Sequence, residues 1–276
     1  MPEPIDRDRI VAALDEVWSS VADLGADLTE AEWDTPTALP GWSVRDNVAH
    51  MLGTESMLAG RPAPEVSDEE VAAAGHVRNE IGVSNERTVV AWRGRTGAEL
   101  LAAFREVTAE RSAALHAMSA ADFAAPSWTP AGQATYGRFM QIRVFDCWMH
   151  EQDVREALGR PGHLDGAAPA VALAEVEQAL GYLVGKRAGA PDGTSVTFAL
   201  TGPVGRDFHV AVDGRAQVVD AHPGPATVTI GLPFDVFLRL AGGRRSGDDA
   251  LAAGEVDLRG DEALGRAVVT NLAYTI

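Results

Sequence analysis

Residues 159–162, Gly-Arg-Pro-Gly, separate two stretches of different apolar period, and no one layer of secondary structure satisfies both. Before this break, apolar residues recur every three or four positions between Pro- and Gly-rich interruptions, which is the spacing of amphipathic helices. After it come short alternating and β-branched runs bounded by Gly, Pro and Asp, which is the spacing of strands. A chain of 276 residues also exceeds what one core usually covers. The sequence is therefore read as α+β in two domains, a helical bundle over 1–162 and a small mixed α/β domain over 163–276.

Four long helices are expected in the first stretch. The first covers 6–28 and carries Ile10, Leu14, Val17, Val21 and Leu24 on one stripe. Thr35-Pro36-Thr37-Ala38-Leu39-Pro40-Gly41 cannot continue it. Ser43 then opens the second helix, 43–58, as an N-cap, with Asp46 three residues on as in a capping box. Residues 61–82 are polar and receive no assignment. The third helix spans 97–118, residues 126–130 break the chain, and the fourth helix runs over 134–158. In the second stretch a helix at 167–186 precedes strands at 195–200, 207–212 and 226–230, with an Asp213-Gly214 turn. Helices at 233–241 and 261–272 flank a further strand at 256–258.

Composition narrows the class of partner. A formal net charge of −17 repels a phosphate backbone and an anionic membrane surface alike, so neither nucleic acid nor membrane is expected. No apolar run reaches the roughly 18 residues of a membrane span, and the opening MPEPIDRDRI has no leader-like segment, so a cytoplasmic protein is expected. With Cys147 the single cysteine, any bound metal must be held by His and carboxylates.

The fourth helix carries the most informative residues. In Arg143-Val-Phe-Asp146-Cys-Trp-Met-His150-Glu-Gln-Asp153, the spacing stacks Asp146 and His150 one turn apart and puts Asp153 on the same face, among apolar neighbours. A polar stripe on a greasy helix is aimed into a bundle, where each group needs a partner. An acid and an imidazole four apart can share one cation, and His50, alone among apolar residues on the second helix, offers a third ligand. The same spacing serves a plain Asp–His hydrogen bond, and the residues alone leave both readings open. His76, His116, His163, His209 and His222 sit in polar or loop surroundings and are read as lying outside the site. Cys147 lies about 100° around the helix from Asp146 and is expected in the core.

Two segments, Leu39-Pro-Gly-Trp-Ser-Val-Arg-Asp-Asn-Val-Ala-His50 and Phe145-Asp146-Cys-Trp-Met-His150-Glu-Gln-Asp153-Val-Arg-Glu-Ala-Leu-Gly159-Arg-Pro, resemble the mycothiol-dependent maleylpyruvate isomerase family. The resemblance implies a DinB-like four-helix bundle followed by a sterol-carrier-like domain. It also implies a divalent metal, usually zinc, held at the positions of His50, Asp146 and His150; the acid is more usually Glu, so Asp146 is a departure. An open metal position would hold the thiol of mycothiol as a thiolate for attack on an electrophilic small molecule. That reaction is either isomerisation of an unsaturated acid such as maleylpyruvate or S-transfer.

Around this centre, Trp42 is expected to touch the cofactor or to fix the loop into the second helix by packing. Asp153 would orient His150, support the metal from behind or hold a proton near the thiol. Arg143 pairs with Asp146. Arg244, in Leu240-Ala-Gly-Gly-Arg244-Arg245, matches a family Gly-Arg stretch and would bind a substrate carboxylate as a catalytic residue; Arg245 is read as exposed. The competing readings are a carrier whose metal only braces the bundle and a scaffold with a vestigial site. The assembly is expected to be a monomer or a homodimer.

Overall fold

A computed structural model describes residues 5–275; residues 1–4, part of the segment expected to lack a leader, lie outside them. The chain divides into two compact units, Met1–His163 and Leu164–Ile276.

The first unit contains α1 (Arg7–Leu24), α2 (Val44–Leu58), α3 (Glu80–Arg93), α4 (Gly97–Ala117) and α5 (Tyr136–Ala157). Each begins at a side chain that accepts from the otherwise unpaired first-turn N–H groups: Asp6, Ser43, Asn79, Thr96 and Thr135. At α2 the capping box is complete, because Ser43 N in turn donates to Asp46 Oδ2 at 2.9 Å. Helix α1 ends at Leu24, short of the predicted 28, where the Gly25 N–H closes the last turn on Val21.

Helices α1 and α2 each pack on both α4 and α5, closing a four-helix ring. Its buried residues include Leu14, Met51, Phe104, Val144 and Trp148, and each such side chain contributes roughly 1.5–3 kcal/mol on burial. Helix α3, which the sequence reading lacks, lies along α2; it approaches at Gly53, where a Cβ would fall 2.6 Å from the Thr88 side chain. Ile81 and Val83 are exposed while Glu86 is fully buried, so the apolar period that would announce a helix is scrambled. The break at 126–130 is an antiparallel hairpin, β1 (Pro126–Thr129) with β2 (Gly132–Thr135), packed on α5.

The second unit opens with α6 (Ala167–Glu177). The predicted helix to 186 breaks there into a short turn, Leu180–Tyr182, and a π-helical turn, Leu183–Arg187. Strands β3 (Ser195–Thr201), β4 (Asp207–Asp213), β5 (Arg215–Val219), β6 (Val228–Pro233) and β7 (Asp257–Gly260) form one sheet in the order β5-β4-β3-β6-β7. Only β3 and β6 run parallel. At Gly181 and Gly185 this broken segment lies close against β5, since a Cβ on either would meet Ala216 within 2.8 Å.

Alternation along β3, β4 and β6 buries Val196, Phe198, Phe208, Val210, Val228 and Ile230, and Phe198 and Phe208 meet Phe237 of α7 (Phe234–Ala241). Helix α8 (Glu262–Thr270) packs on β6 and β7. The α+β reading stands: a helical first unit and a mixed sheet with helices in the second. No helix among the described residues is long and apolar enough to cross a membrane.

Candidate metal centre

Helices α2 and α5 bring His50, Asp146 and His150 together, with one donor atom of each within 4.8 Å of the others. His50 Nε2 lies 3.2 Å from Asp146 Oδ2, and His150 Nε2 lies 3.6 Å from Oδ1 of the same carboxylate. Ligand atoms around a tetrahedral zinc at about 2.0–2.2 Å sit roughly 3.3–3.6 Å apart, so both separations suit a shared ion. Both imidazoles are buried, whereas the Asp146 side chain is 29% exposed and marks the open side.

The tautomer of His150 follows from its neighbours. Asn47, fully buried, donates through Nδ2 to Ser43 O at 2.8 Å and Thr37 Oγ1 at 3.2 Å, which leaves its Oδ1 as acceptor. His150 Nδ1 lies 2.7 Å from that oxygen and therefore carries the proton, so the neutral ring presents an Nε2 lone pair to Asp146 and His50. Asp153, also buried, stands on the Nδ1 side with Oδ2 at 3.4 Å, behind the imidazole and away from the donor atoms.

His50 is held differently: its Nδ1 is buried without a hydrogen-bond partner. Packing orients its ring instead. Trp42 lies tilted over both histidines, with ring centroids 5.2 Å from His50 and 5.7 Å from His150, and the two imidazoles are 4.7 Å apart. Trp42 thus touches the proposed ligands themselves.

Beneath the carboxylate, Arg143 donates from Nη1 to Asp146 Oδ2 and from Nε to Glu55 Oε1 at 3.0 Å. Arg111 donates to the other Glu55 oxygen at 3.1 Å. Burial alone would raise the Asp146 pKa, but the Arg143 guanidinium beside it holds the group well below the usual carboxylate range. Burial lowers the pKa of His50 despite the neighbouring Asp146, which favours the neutral, ligating form. Cys147 is fully buried and burial pushes its thiol up to about 12, so it is no nucleophile at neutral pH. Two imidazole nitrogens and an ionised carboxylate are a donor set that fits zinc or a similar divalent ion.

Arg244 belongs to the second unit, on the turn after α7, where its Nη1 donates to Gly242 O at 2.7 Å. Two histidines read as bystanders have other surroundings. His76 meets Trp42 edge-on at 6.4 Å, and His163 sits between two carboxylates, Nδ1 2.5 Å from Glu151 Oε2 and Nε2 2.9 Å from Glu16 Oε1. Sequence reasoning also passed over Asn47 and Glu86. For Asn47 a signal existed, because it lies one turn before His50 on the same helix. For Glu86 there was none, since only folding brings α3 to the site.

The mycothiol maleylpyruvate isomerase N-terminal domain model matches residues 14–155, and the C-terminal domain model of the same family matches 170–267. The chain is similar to a crystal structure of the mycothiol-dependent maleylpyruvate isomerase at 15% identity and a TM-score of 0.56, covering 87% of this chain and 90% of that one. A mutant of that isomerase with a histidine changed to alanine matches at 16% identity and a TM-score of 0.54, covering 92% of each chain. At these identities the structural likeness is one of fold. No curated protein sequence matches the chain.

Proposed function

The chain belongs to the mycothiol maleylpyruvate isomerase family, and from that premise we propose that it is a metal-dependent, mycothiol-using enzyme whose ligands are His50, Asp146 and His150. The observation that carries this reading is the convergence of two imidazole Nε2 atoms on one carboxylate, with the His150 tautomer fixed by Asn47. Bound there, zinc would supply the charge that keeps an added thiol in its nucleophilic thiolate form at neutral pH.

The protein's own residues prepare the site for that guest. Asn47 holds the His150 proton on Nδ1, and Arg143 holds the Asp146 carboxylate from below. Trp42 keeps both imidazoles in place, and Asp153 braces His150 from behind. Because Cys147 is buried and protonated, the nucleophile must come from outside the chain. Addition of the mycothiol sulfur to a conjugated acid, rotation about the carbon–carbon bond and elimination would give isomerisation; retention of the adduct would give S-transfer. We place this activity in the cytoplasm, on small electrophilic acids.

The test is calorimetric titration of mycothiol into the metal-loaded and the chelator-stripped protein. Binding that requires the metal is expected. Metal occupancy without thiol binding would move the protein to a carrier or scaffold role.

A further inference from the structure

Two fully buried carboxylates support the centre from outside the ligand set. Glu86 on α3 accepts from the Trp42 indole Nε1 at 3.0 Å. Glu55 on α2 reaches a proposed ligand through an arginine. Its Oε1 accepts from Arg143 Nε at 3.0 Å, and its Oε2 accepts from Arg111 Nε at 3.1 Å. Arg143 donates in turn from Nη1 to Asp146 Oδ2, and from Nη2 to Cys147 Sγ at 3.3 Å. Arg111 Nη2 donates to the Tyr136 hydroxyl at 2.8 Å. Arg111, Glu55, Arg143 and Asp146 thus form a chain of alternating charge that crosses from α4 through α2 to α5, and its first three members are buried.

Stability alone does not account for such a chain. Apolar side chains of similar volume hold helices together about as well as buried ion pairs, because desolvation consumes much of the Coulomb gain. What they cannot do is aim a donor. A guanidinium is a rigid planar fork, so with Nε fixed on Glu55 and Nη2 on Cys147 the remaining arm, Nη1, points one way, at Asp146 Oδ2. An aspartate carboxylate otherwise turns readily about its last side-chain bond. We propose that Glu55 is a positioning residue for the metal ligand Asp146, an inference that rests on the metal-centre reading above. Acting through Arg143, it holds the carboxylate with Oδ2 toward His50 and Oδ1 toward His150. Glu55 lies on the helix of His50, and Arg143 on the helix of Asp146 and His150, so the same bond keeps the two ligand-bearing helices in register.

The test reads zinc affinity by competition with a chromophoric chelator, and ligand geometry by the visible spectrum of the cobalt(II)-loaded protein. Glu55→Gln is expected to weaken zinc binding by about 10–100-fold and to shift the cobalt bands, although every ligand is still present. Because that change strands two buried arginines, Glu55→Asp is measured beside it: the charge stays and the oxygens withdraw by one methylene, so the loss is smaller and of the same kind. Arg143→Lys keeps the charge but not the fork and follows Glu55→Gln in both readouts. In an Arg143→Met background no fork remains to be positioned, and adding Glu55→Gln changes zinc affinity by less than about twofold. Glu151→Ala removes an equally buried carboxylate and measures the effect of instability alone: its unfolding midpoint falls while zinc affinity and cobalt spectrum stay at wild-type values. Wild-type affinity and spectrum in the Glu55 variants, or an equal loss from Glu55→Gln with and without Arg143, overturns the inference and leaves the metal centre standing. Failure of the wild type to take up zinc removes both.

Discussion

Helix α5 carries two acid–imidazole clusters, and they are wired in opposite ways. His150 has one nitrogen fixed by Asn47 and turns the other toward Asp146 and His50. His163 has both nitrogens on carboxylates, Glu151 and Glu16, and Glu151 is further held by Ser20 at 2.6 Å and Arg155 at 2.7 Å. The backbone at His163 is left-handed, with φ 54°, and the Trp148 indole donates to its carbonyl at 3.0 Å. A ring with a spare lone pair facing other donors has room for a guest. A ring with both nitrogens donating is a cation that fastens acids together, and here it fastens the residue where the first unit ends.

The contrast breaks most visibly at the proposed ligands. Asp146→Ala is expected to weaken divalent-metal binding on the order of 10³-fold or more, read by competition with a chromophoric chelator. On the other face, Glu151→Ala leaves Arg155 and His163 without their buried partner. It is expected to cost roughly 3–5 kcal/mol in chemical denaturation while metal affinity stays unchanged. A loss of metal with Glu151→Ala would show that the two clusters are one.

Asn47→Ala sharpens the comparison, because it frees the His150 tautomer without removing a ligand. Metal affinity should fall by about 10–100-fold. An unchanged affinity would mean that Asp153 alone orients the ring.

The smallest effect is expected at His163. Burial opposes its charge, but the hydrogen bonds that its ring donates to Glu151 and Glu16 raise its pKa above the ordinary histidine value. Its contribution is therefore complete below about pH 6.5 and is lost as pH rises through the raised folded-state pKa. His163→Gln should cost roughly 1–3 kcal/mol at pH 6 and progressively less toward pH 9. A deficit independent of pH would show that the ring is not held as a cation.

The two clusters also differed in how far the sequence revealed them. Asp146 and His150 could be paired because they are one turn apart among apolar residues, and the Ser43 cap fixed where the helix of His50 begins. His163 follows a Gly-Arg-Pro-Gly break and reads as loop; one of its two carboxylate partners, Glu16, lies 147 positions away in sequence. The α3 helix, Glu86 and His76 were hidden for a related reason: α3 exposes apolar residues and buries an acid, the reverse of the pattern that marks a helix. Strand β5 escaped because Arg215, Gln217 and Val218 are exposed on a sheet edge with little alternation to detect. Local spacing gave four of the first unit's five long helices, the inner strands and the Asp146–His150 pair. Groups that act through contacts distant in sequence required the folded chain.

The most direct test of the central claim is elemental analysis of the purified wild type beside His150→Ala and His163→Ala, each loaded with zinc and desalted. The account predicts about one equivalent of zinc in the wild type and in His163→Ala, and almost none in His150→Ala. Zinc retained by His150→Ala and lost from His163→Ala would contradict it.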